Sequence, residues 1–269
     1  MAAATTITLA ASGNKQRRRP LWSELLVGLE WATLKISPTY YGINVPRGDG
    51  APVVLVPGFM GSDRSLLEMH LWLGRVGYRS YLSGIGRNAD CPDMLMERLL
   101  ETMARAQRET GRQVRLIGHS LGGLLARAAA VRQPQQVAQV ITMASPFRRL
   151  SAHPLVLALV SLVRGKALER HFGNTGGSCE CSFLEAVEER IPGSVTRAAI
   201  YTKSDPVVDW RDCVEADAAL NIEVRGTHVG LPINAQVYRE VAQLLRMVQP
   251  VPKARSIDPQ SDYGLPLAA

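Results

Sequence analysis

Val114-Arg115-Leu116-Ile117-Gly118-His119-Ser120-Leu121-Gly122-Gly123-Leu124-Leu125-Ala126-Arg127 decides how this chain folds. Residues 114–118 read as a buried strand, and residues 121–132, small and apolar, as a helix. Between them stands the pattern Gly118-x-Ser120-x-Gly122. A chain that passes from strand to helix within so few residues must turn tightly. The two glycines leave room where a Cβ would meet neighbouring backbone. Ser120 is then left at the tip of the turn with its hydroxyl outward. It also stands at the N-terminal end of a helix, whose dipole and unpaired N–H groups favour developing negative charge. The five-residue pattern alone is weak; the strand before it and the helix after it make it a nucleophile elbow.

Outward from this stretch, strands and helices alternate. The residue patterns predict strands over 52–57, 78–83, 137–143, 198–202 and 222–224. They predict helices over 63–76, with Asp63 as N-cap, over 93–110, stopped at Gly111, and over 234–248. Such alternation implies βαβ units and a parallel sheet. A helix over 21–36 carries Leu21, Leu25 and Leu29, with Trp22 and Leu26, at helical spacing. It reads as a covering helix; the sharper reading lays it on a membrane, where Trp22 and Trp31 suit an interface. Residues 144–197 are too long for a plain connection. They hold an apolar helix over 154–163, a Gly-rich stretch over 173–177 and a second helix over 183–190, and so read as a cap inserted at about 146–196. The expected organisation is a disordered basic tail over 1–20, one domain over 21–249 and a loose Pro-rich tail over 250–269.

A serine hydroxyl is a poor nucleophile near neutral pH and needs a general base beside it. The base in turn needs an acid that fixes its tautomer and stabilises the imidazolium. Asp205 follows directly on the 198–202 strand, and His228 on the 222–224 strand. The chain order Ser120, Asp205, His228 is the order serine, acid, histidine. Asp209 competes with Asp205 but stands further from its strand end, on an expected surface turn beside Arg211. Of the five histidines, His70, His153 and His171 lie on helical or cap segments, and the His119 ring is expected to point away from the nucleophile. An oxyanion needs backbone donors. Leu121 N–H, next to the nucleophile, is one. The loop Pro57-Gly58-Phe59-Met60-Gly61-Ser62 supplies the other at Phe59, with Met60 the alternative.

Four segments together resemble the α/β-hydrolase superfamily in its lipase and esterase style. They are Val54-Leu55-Val56-Pro57-Gly58-Phe59-Met60-Gly61-Ser62, Gly118-His119-Ser120-Leu121-Gly122-Gly123, Ser204-Asp205-Pro206-Val207-Val208 and Gly226-Thr227-His228. The resemblance spans residues 50–248. It implies an α/β-hydrolase fold, with a mostly parallel central sheet, helices on both faces and an inserted helical cap. It implies a serine carboxylic-ester hydrolase with Ser120, Asp205 and His228 as triad, Phe59 and Leu121 as oxyanion donors, and neither metal nor organic cofactor. One departure is visible: members commonly begin the oxyanion loop His-Gly, where this chain has Pro57-Gly58. The Gly84-Ile85-Gly86-Arg87-Asn88 loop resembles a segment of some bacterial members, without a role assigned.

The same site would serve a thioesterase or acyltransferase, and the same fold a catalytically silent binding module; the intact triad argues against the last. The substrate expected is a small-molecule ester with an apolar acyl group. The chain carries a net charge of +7, of which Lys15, Arg17, Arg18 and Arg19 in the first 20 residues hold +4. The basic balance is thus mostly a tail property. It does not single out nucleic acid as a partner, and peripheral membrane contact through residues 15–36 is the specific alternative to a solvated tail. No apolar run reaches the ~18–20 residues of a bilayer span. The tail charges follow the mild apolar stretch 2–11 rather than precede it, unlike a secretory signal. A cytoplasmic location is favoured on that ground. Cys91, Cys179, Cys181 and Cys213 lack zinc-site spacing and read as buried thiols, with a Cys213 disulfide to Cys179 or Cys181 the alternative in an oxidising compartment.

Overall fold

The computed structural model describes residues 20–148 and 183–248. The cap segments 154–163 and 173–177, the tail residues 1–19 and residues 249–269 lie outside them.

The strands are β1 (Pro52–Val56), β2 (Arg79–Leu82), β3 (Val114–His119), β4 (Val137–Met143), β5 (Thr196–Tyr201) and β6 (Asn221–Glu223). They form one sheet in the order β2-β1-β3-β4-β5-β6, and every pairing is parallel. The helices are α1 (Val27–Ile36), α2 (Leu67–Val76), α3 (Pro92–Thr110), α4 (Leu121–Arg132), α5 (Phe183–Glu188) and α6 (Ala235–Met247).

Two cores flank the sheet, and the two-residue period of a strand divides the side chains between them. Val53 and Leu55 of β1 join Met69, Trp72 and Leu73 of α2 and Val241 and Leu245 of α6 on one face. Val54 and Val56 join Leu95 and Leu99 of α3, Leu124 of α4 and Val187 of α5 on the other. Strands buried on both faces read as continuous apolar runs, which is how β1 was legible. Trp72 is fully buried, stands 4.6 Å from the Tyr238 ring and donates its indole N–H to Thr39 O at 2.8 Å.

Helix ends follow their end residues. Helices α2 and α3 stop at Gly77 and Gly111, both with positive φ (101° and 65°). Asn234 caps α6, its side chain accepting from Gln236 N at 2.9 Å and Val237 N at 3.3 Å.

Two expectations fail. Asp63 is not an N-cap; Ser62 holds that position, without a side-chain cap. The Asp63 carboxylate is used instead by the loop after β2, accepting from Ser83 Oγ at 2.6 Å and Gly84 N at 3.1 Å. Nor does the 21–36 segment cover the core with its apolar stripe. Its first turns, Leu21–Leu26, are 3-10. Trp22, Leu25 and Leu29 are 66%, 82% and 65% exposed, and Leu34 is the buried apolar residue of α1. The segment is attached mainly by polar groups: Lys35 pairs with Glu68 at 2.7 Å, and Glu24 and Glu30 bond the loop that carries His228. Among the described residues no helix is long and apolar enough to cross a membrane.

Candidate active site

Because all six strands run parallel, their carboxyl ends share one side of the sheet, where open α/β sheets build their sites. Ser120 follows β3 there. Its backbone is held at φ 51°, ψ −122°, a region that costs a non-glycine residue on the order of 1–3 kcal/mol. The strain is imposed by the surroundings. Ser120 N donates to Met143 O of β4 at 2.8 Å, and its carbonyl accepts from Gly123 N at 3.0 Å. A Cβ on Gly118 would collide with the backbone of Gly122 and Gly123, and one on Gly122 with the carbonyls of Val56 and Pro57. The elbow thus exists because these two positions lack side chains.

The loop after β1 packs directly on this elbow. A Cβ on Gly58 would lie 2.8 Å from His119 Nδ1 and 3.2 Å from Ser120 Cβ. Among the described residues, the N–H groups of Phe59 and Leu121 donate to no partner, whereas Met60 N is committed to Asn88 O at 2.9 Å. Asn88, fully buried, also clamps the loop through Nδ2, which donates to Pro57 O at 2.8 Å, and through its N–H, which donates to Gly61 O at 2.8 Å. An antiparallel bridge between Ser62 and Arg87 continues this pairing. The Gly84–Asn88 stretch, unassigned in the sequence, is the support of the 57–62 loop.

Asp205 lies in the turn after β5. Its Oδ1 accepts from Val207 N at 2.8 Å and Val208 N at 2.9 Å, and its Oδ2 meets His228 Nδ1 at 2.7 Å. Both side chains are buried. Asp209 is elsewhere occupied: it caps the Trp210–Cys213 turn, accepting from Arg211 N at 3.0 Å, with Arg211 Nη1 at 3.4 Å. Burial opposes charge on His228, but Asp205, by charge and hydrogen bond, and Glu24 outweigh it and leave its pKa raised above the ordinary 6.5.

His119, whose ring was expected to point away from the nucleophile, packs beside His228. Its ring lies 5.0 Å from that of His228, and its Nε2 meets His228 O at 2.9 Å. Burial, with the nearby His228, pushes its pKa down to about 3. The ring is therefore neutral near pH 7, and a carbonyl only accepts, so Nε2 carries the hydrogen. The residue before the nucleophile thus ties the elbow to the histidine loop. No hydrogen bond joins Ser120 Oγ to another described residue. Cys213 is a buried thiol behind this turn, its pKa pushed well up by burial and by the neighbouring Asp205, Asp212 and Asp209 carboxylates.

A parallel sheet in this strand order, a strained serine between strand and helix, and a buried Asp–His pair beyond the later strands are one architecture. Solved structures share the fold. A metagenome-derived lipolytic enzyme of the LipS and LipT pair superposes with a TM-score of 0.54 at 14% identity, over 76% of this chain and 96% of its own. The Bacillus licheniformis lipase BlEst2, in propeptide form, superposes with a TM-score of 0.53 at 15% identity, over 77% of this chain and 52% of its own.

The chain has the α/β-hydrolase fold.

Within that fold, residues 87–157, which include the elbow, match a PGAP1-like alpha/beta domain. A triacylglycerol lipase of Burkholderia plantarii is 32% identical over 132 residues, 46% of this chain and 37% of the lipase. A triacylglycerol lipase of Pseudarthrobacter phenanthrenivorans is 35% identical over 106 residues, 36% of this chain and 33% of the lipase. The matched stretches thus span about a third of these relatives' length. For the hydrolase fold the chain order serine, acid, histidine and the two unengaged N–H groups are the parts that bear on chemistry. Among the described residues no cluster of ligating side chains could hold a metal. Three features escaped sequence reasoning: the His119 contact, the Asn88 clamp and the carboxylates of Glu24 and Glu30. No local pattern announces any of them.

Proposed function

We propose that the protein is a serine hydrolase of carboxylic esters with an apolar acyl group. The observation that carries this reading is the buried Asp205–His228 pair at 2.7 Å, on the side of the sheet where the strained Ser120 stands. Ser120 Oγ attacks the ester carbonyl carbon while His228 Nε2 takes its proton. Asp205 holds Nδ1–H, which leaves Nε2 as the basic nitrogen, and offsets the charge that forms on the ring. The N–H groups of Phe59 and Leu121 donate to the oxyanion of the tetrahedral intermediate. His228 returns the proton to the departing alkoxide, and the acyl-enzyme is hydrolysed by water through the same steps. The triacylglycerol lipases that match part of the chain support an ester rather than a thioester.

A lipid surface fits the same reading. Lys15, Arg17, Arg18 and Arg19 precede a segment whose outward residues are Trp22, Leu25, Leu29 and Trp31. Basic residues beside an apolar helical face suit an anionic interface, at about 1 kcal/mol per Lys or Arg near the surface. The acyl site is expected to include the apolar cap residues Leu155, Leu157 and Leu159, which lie outside the described residues.

The test is kcat/KM across C2 to C12 esters. At about 0.8 kcal/mol per buried CH₂, efficiency should rise roughly four-fold per methylene until the site is filled. A profile that is flat or peaks at acetate overturns the lipid-like substrate.

A further inference from the structure

The loop that carries His228 presents consecutive backbone N–H groups to two carboxylates from the far end of the chain. Thr227 N donates to Glu30 Oε1 at 2.7 Å, and Thr227 Oγ1 donates to Glu30 Oε2 at 3.1 Å. His228 N donates to Glu24 Oε1 at 3.0 Å and Val229 N to Glu24 Oε2 at 2.7 Å. Gly230 N closes the turn on Thr227 Oγ1 at 3.0 Å. The fit is close on the loop side too. A Cβ on Gly230 would occupy the place of the Glu30 carboxylate, and one on Gly226 would lie 3.2 Å from Glu30 Oε1. Neither glycine has positive φ, and at Gly230 the missing side chain makes room for the carboxylate; at Gly226 a Cβ would meet Asn234 Nδ2 first, at 2.9 Å.

His228 is consequently fixed at three atoms. Its N–H is held by Glu24, its carbonyl by His119 Nε2, and its Nδ1 by Asp205. The ring nitrogen without a partner among the described residues is Nε2. A surface helix with ordinary duties would not bring both its carboxylates onto one loop; charged side chains of this kind usually stand in water.

We propose that Glu24 and Glu30 are positioning residues for His228, so that the N-terminal helical segment is a working part of the active site. The proposal rests on His228 being the general base. Two effects follow. A rigid loop keeps Nε2 in line with Ser120; displacing a reacting group by ~1 Å costs on the order of 10²-fold. The Glu24 charge also favours the imidazolium, alongside Asp205; the neutral His119 ring stands 5.0 Å away, and Glu30, one residue along, faces Thr227.

The test is steady-state kinetics of Glu24→Gln and Glu30→Gln in the full chain against pH, with melting temperatures. Glu24→Gln loses an acceptor and a charge. Its kcat should fall about ten-fold with KM within two-fold, and the acid limb of kcat/KM should move to lower pH. Glu24→Asp keeps the charge but not the reach, so kcat should fall while the limb stays. Glu30→Gln should lower kcat several-fold and leave KM alone. A Glu24→Gln protein that melts within a few degrees of wild type, with unchanged kcat or an unmoved acid limb, overturns the proposal. Should that variant not fold, wild-type kcat in folded Glu30→Gln overturns it instead. Wild-type labelling of Ser120 by a fluorophosphonate separates the two claims. If the wild type neither labels nor hydrolyses, the hydrolase reading fails; if it does both and the variants match it, only the positioning role fails.

Discussion

Asp205 commits one carboxylate oxygen to the chain and the other to His228. The first fixes where the carboxylate stands; the second fixes which imidazole nitrogen carries the hydrogen. Asp205→Asn keeps the shape but favours the wrong tautomer. Its kcat should fall on the order of 10³–10⁴-fold. Asp209→Asn keeps an oxygen that can accept from Arg211 N in its turn and should stay within a few-fold of wild type. Comparable losses at both positions would contradict the assignment. The sign of the pH dependence follows from the raised pKa of His228. The base works in its neutral form, so kcat/KM should fall as pH drops through a pKa above the ordinary 6.5 of imidazole. Asp205 and His228 were legible because each follows a strand end in a parallel sheet. The ring of His119 was not: its partner is a carbonyl 109 residues away, and nothing local aims it there.

At the scale of elements, the sequence announced strands and helices well where burial and pattern coincide. β1 reads as strand because both its faces are apolar, and α3 ends where Gly111 takes positive φ. Pattern misled at the N-terminal segment. Leu25 and Leu29 have the spacing of a core-facing stripe, yet they face outward because Glu24 and Glu30, on the other side, bond the 227–229 loop. Spacing records which residues share a face, not which way the face turns. The pairing of Glu24 with His228 spans 204 residues and leaves no trace in either neighbourhood. If the outward face meets an anionic lipid surface, Leu25→Ser/Leu29→Ser should reduce co-sedimentation with phosphatidylglycerol vesicles by ten-fold or more. Hydrolysis of soluble short-chain esters should be unchanged within two-fold. Undiminished binding by the double variant would remove the helix from the interface.

For the molecule as a whole, the separation of tasks is physical. The two cores on either side of the sheet hold the strand ends in place, and loops from distant parts of the chain meet above them. The 57–62 loop is braced by Asn88, the 227–230 loop by Glu24 and Glu30, and the elbow by its neighbouring strands. Each loop is held by groups other than those proposed to react, and among the described residues Phe59 N–H, Leu121 N–H and His228 Nε2 have no partner. The fold alone carries no reaction, since the same sheet supports many chemistries. The central claim therefore rests on Ser120. The most direct measurement is reaction of the purified chain with a fluorophosphonate, the labelled residue located by peptide mass spectrometry, beside ester hydrolysis by Ser120→Ala. The account predicts a single adduct on Ser120, and a loss of roughly 10³-fold or more in hydrolysis by a Ser120→Ala protein that melts like the wild type. An unlabelled Ser120 in a chain that hydrolyses esters, or a Ser120→Ala protein that keeps more than a few per cent of the activity, would contradict it.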